Sequence, residues 1–94
     1  MTTRKKVIEQ LEELSALRDD LHDAVGSLYS ASVKAESLSE EFRSEGEKSM
    51  MASAMNTRDL IESLIEVVKR NMDDIYREVY TLRENLISKL REVL

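Results

Sequence analysis

The sequence predicts an all-α fold, an antiparallel helical hairpin of two long helices that is expected to pair into a four-helix bundle. Three observations lead to this prediction. Apolar residues recur every three or four positions along most of the chain, and the 94 residues include no proline and two glycines. The composition is 41% hydrophobic and 35% charged, which is typical of amphipathic helices. We expect residues 1–94 to form a single helical-hairpin domain.

The first helix is predicted over about residues 3–43, with Thr2 or Thr3 as its N-terminal cap. Its apolar residues repeat as heptads, which is the pattern of a helix that packs along one seam. The first seam position holds Val7, Leu14, Leu21, Leu28, Ala35 and Phe42, and the second holds Leu17, Ala24, Ala31 and Leu38. Gly26 does not shift this phase, so we expect the helix to continue through it.

A turn is predicted within residues 44–49, where glycine coincides with a loss of apolar periodicity. Two local arrangements fit the sequence. Ser44 and Glu47 have the spacing of a capping box, in which each side chain bonds a free backbone N–H of the next helix. Alternatively, Gly46 ends the first helix in a left-handed conformation and Ser49 starts the second helix.

The second helix is predicted over about residues 47–94, although Thr57 could instead cap a separate third helix. Its periodic residues are Met51, Ala54, Ile61, Ile65, Val68, Met72, Ile75, Val79, Leu82, Leu86 and Val93. Further apolar residues flank this seam on both sides, so the stripe is wider than a two-stranded contact needs. A stripe of this width indicates more than one neighbouring helix, which self-association would supply.

The wide stripe of the second helix is the predicted partner-binding surface. Its members are Leu60, Ile61, Leu64, Ile65, Val68, Met72, Ile75, Val79, Leu82 and Leu86. Part of this stripe faces the alanine-rich and serine-rich half of the first helix, where large residues could simply fill the space that small ones leave. The sequence therefore predicts a non-enzymatic protein–protein interaction module that forms a homo-oligomer or pairs with a helical protein partner.

Catalysis, cofactors and other ligands find little support in the sequence. His22 is the one histidine and there is no cysteine, so the pair Asp19 and His22 is expected to be solvated and a metal or ligand carrier is a distant alternative. The basic clusters Arg4-Lys5-Lys6 and Lys69-Arg70 are too small for a nucleic-acid surface. We expect no cofactor, no metal, no small-molecule substrate, no membrane span and a cytoplasmic location.

One motif in the second helix suggests an alternative function. Tyr80-Thr81-Leu82-Arg83-Glu84 has the form Tyr-x-x-x-Asp/Glu, and the turn contains Phe42 and Gly46 but no tryptophan. With its acidic, cysteine-free composition and two-helix pattern, the chain resembles the Trp-x-Gly hairpin proteins of type VII secretion. The resemblance implies a secretion substrate, partner or targeting chaperone, exported without a cleaved signal peptide, with Tyr80 and Glu84 as the export signal.

Overall fold

The computed structural model describes residues 3–93, which form two long α-helices and no strand. Helix α1 spans Thr3–Ser44 and helix α2 spans Lys48–Glu92. The predicted all-α helical hairpin is therefore confirmed. The first helix ends one residue later than predicted and the second begins one residue later. The predicted helix end at residue 94 and the alternative cap at Thr2 lie outside the described residues.

The turn between the helices uses the left-handed glycine and not the capping box. Gly46 has a φ of +75°, which suits a residue without a side chain. The Glu47 N–H donates to the Phe42 carbonyl (2.9 Å) and the Gly46 N–H to the Arg43 carbonyl (3.2 Å), the two bonds of a Schellman motif. The Ser44 hydroxyl donates back to the Glu40 carbonyl, so it caps no second helix. Helix α2 begins at Lys48, one residue before the predicted Ser49.

Both helices are continuous at the positions where the sequence left a break open. Helix α1 runs through Gly26, as predicted from the unbroken heptads. Helix α2 runs through Thr57, whose hydroxyl donates to the Ser53 carbonyl at 2.8 Å in the manner of a residue inside a helix. The alternative of a third helix that begins at Thr57 is therefore wrong, because Thr57 lies inside α2 and its hydroxyl bonds the preceding turn of that helix.

The chain divides into two compact units, each built from segments of both helices. We call residues 3–22 with 71–93 the terminal unit, and Asp23–Arg70 the turn unit. Few side chains in either unit are fully enclosed. In the terminal unit, Val7 and Met72 are buried. In the turn unit the buried residues are mostly small: Ser32, Ala35, Ser39, Ala54 and Ile65.

The turn unit buries small residues of α1 and has an ion pair between its two helices. Ser39 is 2% exposed, and its hydroxyl donates to the Glu36 carbonyl at 2.7 Å, so its burial leaves no polar atom unsatisfied. Arg58 interrupts the apolar seam of α2 and is only partly exposed. Its guanidinium contacts Asp59 at 3.0 Å and reaches Glu36 on α1 at 3.7 Å. The hydrogen bond and the charge of Asp59 raise the pKa of Arg58.

The seam of α1 differs from the predicted one at its second position. Leu17, Ala24 and Leu38 are exposed and Ala31 is only half-buried. For three of these four residues, the next residue in the chain is more buried. Those residues are Val25, Ser32 and Ser39, which are half-buried or buried. The prediction assigned Leu38 and not Ser39 to the seam because leucine is the more hydrophobic residue. In the structure, α2 covers the side of α1 on which Ser39 lies, and Leu38 is exposed.

Candidate interaction surfaces

The first candidate surface is a groove in the terminal unit that we call the leucine groove. It is lined by Gln10, Glu13, Leu14 and Leu17 of α1 and by Leu82 and Leu86 of α2. Leu17 is 45% exposed and Leu82 is 52% exposed, although both belong to the predicted seams. Two helices in contact cover only one side of a wide apolar stripe, so these leucines remain on the open face.

The second candidate surface is the arginine groove, which also lies in the terminal unit. It has a volume of about 840 Å³ and is lined by Leu11, Leu14, Ser15 and Arg18 of α1 and by Tyr76, Val79, Tyr80, Arg83 and Ile87 of α2. Tyr76, Tyr80, Arg83 and Ile87 follow one another at spacings of four, three and four, and Val79 lies three residues after Tyr76, so all five lie on one face of the helix. Leu14 lines both grooves, so its side chain lies between the two faces of the unit.

The arginine groove was not anticipated from the sequence. Of its lining residues, only Val79 belongs to the predicted partner-binding stripe, and Tyr80 to the predicted export signal. The sequence feature that could have predicted this groove is helical spacing. Tyr76, Tyr80 and Arg83 lie four and three residues apart on α2, and Leu11 and Arg18 lie seven residues apart on α1, so each set shares one helix face.

The turn unit has its own exposed apolar residues. Leu60, Leu64 and Val67 follow one another at spacings of four and three and are all exposed on one face of α2. The residue after each of them, Ile61, Ile65 or Val68, is half-buried or buried. The predicted stripe therefore separates into an inner row and an outer row within this unit.

The structure places the predicted partner-binding residues in three environments. Ile65 and Met72 are buried; Ile61, Val68, Val79 and Leu86 are half-buried; Leu60, Leu64, Ile75 and Leu82 are exposed. The buried pair belongs to the hairpin interior and is not available to a partner. The exposed residues are accessible to a partner, and Tyr80 and Glu84 of the predicted export signal are exposed as well.

The remaining candidate residues lie on the surface. His22 and Asp19 are both exposed. Across residues 3–93, no three or more histidine, cysteine, aspartate or glutamate side chains are grouped closely enough to hold a metal ion. Within the same part of the chain, neither helix includes a segment that is both long and apolar enough to cross a membrane.

Comparison of the chain with protein-family models, with curated proteins and with solved structures finds no match. The class that the fold defines is an all-α helical hairpin.

Proposed function

We propose that this chain is a non-enzymatic protein–protein interaction module that associates with a second copy of itself through the leucine groove. The observation that carries the proposal is the exposure of Leu17 and Leu82 on one face of a unit whose buried residues are only Val7 and Met72. Contact with a second copy would remove these leucines from water, and burial of apolar area is the main source of binding free energy between proteins.

The accessible surface of the chain supports the same proposal. It measures 7266 Å², whereas a compact monomer of 10.8 kDa exposes about 5,500 Å². The excess of about 1,700 Å² in one chain is about twice the roughly 800 Å² that each partner contributes to a standard protein–protein interface, so it is large enough to supply one. Two leucine grooves packed face to face would bring four helical segments together, in the arrangement of a four-helix bundle.

The test is the mass of the protein in solution. We expect a dimer at micromolar concentration by light scattering and by sedimentation. The dimer should persist in high salt, because apolar contacts are not screened by ions. A monomer that unfolds cooperatively and shows no tendency to associate would contradict the proposal.

A second candidate function is export as a partner or substrate of a type VII secretion system. The observation that favours it is that Tyr80 and Glu84 are both exposed and lie one helical turn apart on α2. A secretion receptor could therefore contact both side chains without unfolding the helix.

The export hypothesis predicts that Tyr80→Ala combined with Glu84→Ala blocks secretion from a host that has such a system. Because both residues are exposed, we expect the helix content and the dimer to be unchanged. Glu78→Ala is the control, since Glu78 is an exposed carboxylate of the same helix outside the motif. Equal secretion of the double variant and the control, measured by immunoblot of the medium, would exclude this export signal.

A further inference from the structure

We propose that the arginine groove binds an acidic amphipathic helix of a partner protein. This surface is distinct from the leucine groove on the other face of the terminal unit, so the inference goes beyond self-association. It would allow one chain to contact a second copy through one face and a different protein through the other.

The first argument is the charge of the groove. The chain carries 19 acidic residues and a net charge of −5, yet no carboxylate lines the arginine groove, which has Arg18 and Arg83 in its walls. Two other grooves of the terminal unit differ: Glu13 lines the leucine groove, and Glu9 and Glu12 line a third groove beside Arg4 and Lys5. A groove with two guanidinium groups and no carboxylate among its lining residues favours a negatively charged occupant.

The second argument is that the polar groups in the walls are available for binding. Among the described residues, Arg18 forms no ion pair or side-chain hydrogen bond, and the hydroxyls of Tyr76 and Tyr80 likewise have no protein partner. Arg83 contacts the adjacent Glu84 at 3.6 Å, but both side chains are about half exposed. Such a surface contact is weak and can be exchanged for an intermolecular one.

The third argument is the apolar part of the groove lining. Leu11, Leu14, Val79 and Ile87 supply aliphatic surface from both helices. A groove between two helices accepts the apolar ridge that a third helix presents at spacings of three and four residues. Because Arg18 comes from α1 and Arg83 from α2, carboxylates on both flanks of that ridge could each meet a guanidinium.

The test uses two stapled amphipathic peptides as probes, each of about 15 residues, since shorter or unstapled helices are marginal in water. One has a leucine ridge flanked by glutamates, and the other has glutamine in place of every glutamate. Fluorescence anisotropy measures their binding to the full chain. We expect the glutamate peptide to bind roughly tenfold more tightly than the glutamine peptide, in line with two solvent-exposed ion pairs. This preference should fall as salt is added.

Substitution of both arginines should remove this preference. We expect Arg18→Gln with Arg83→Gln to bind the two peptides equally. The control is Arg77→Gln with Arg91→Gln, which changes the net charge by the same amount at exposed positions of α2 outside the groove, and it should keep the preference. Circular dichroism should show unchanged helix content for both variants.

Three results of the peptide experiments would overturn the inference. They are no binding of the glutamate peptide at micromolar concentration, equal binding of both peptides to the parent chain, and an unchanged preference in the Arg18 and Arg83 variant. A fourth result concerns dodecanoate. If the parent chain binds dodecanoate but not the peptide, and the Arg18 and Arg83 variant does not bind dodecanoate, the groove is a site for small anionic amphiphiles. Peptide binding by a chain that sediments as a monomer would support this inference and contradict the proposed self-association.

Discussion

Replacing Ile65 with aspartate is expected to unfold the turn unit. Ile65 is 5% exposed and is the largest apolar side chain among the buried residues of that unit. The substitution removes buried apolar surface and places a carboxylate at a position that is closed to water, at a cost of about 3–5 kcal/mol. A cost of this size is a large share of the stability of a small domain. Thermal unfolding followed by circular dichroism should show a lower midpoint and a loss of helix at 25 °C.

Leu60→Asp is the matched control for this prediction. It introduces the same charge five residues earlier on the same helix, but Leu60 is 72% exposed. We expect a change in the free energy of unfolding within about 0.5 kcal/mol, as is usual for surface substitutions. Equal destabilisation by the two substitutions would show that the inner and outer rows of α2 are wrongly assigned.

Replacing Leu17 and Leu82 together with aspartate is expected to convert the dimer into a folded monomer. Each side chain is about half exposed within one chain and would be enclosed only in the dimer. Association of the double variant would place four carboxylates in an apolar interface, which costs several kcal/mol. Sedimentation should therefore give the monomer mass at concentrations where the parent chain is dimeric.

Val33→Asp is the control for the dimer prediction. Val33 is 65% exposed in the turn unit and lines neither groove of the terminal unit, so this variant should remain dimeric. The Leu17 and Leu82 variant should also keep the helix content of the parent chain. A dimer that persists in this variant would exclude the leucine groove as the interface. Loss of helix would show that the two leucines belong to the hairpin interior.

Local sequence features were sufficient to predict the fold class and the position of the turn. The heptad repeat predicted two long helices, and its constant phase predicted that α1 would continue through Gly26. Gly46 was one of two proposed ways to form the turn, because only glycine adopts positive φ without steric cost. These properties depend on residues close together in the chain, so periodicity and backbone sterics specify them.

The tertiary structure decided which edge of each apolar stripe faces the other helix. Residues three and four positions after a seam residue lie on opposite sides of it, about 60° and 40° away, so periodicity alone favours neither. In α1 the structure encloses Ser39 and leaves Leu38 exposed. In α2 it half-buries Tyr76 and leaves Ile75 exposed. The facing helix makes this choice, since small residues such as Ser39 permit close packing and a hydroxyl bonded to its own helix can be buried at little cost. Because each helix covers only one side of the other helix's apolar stripe, Leu17 and Leu82 lie on an open face, where a second copy could cover them.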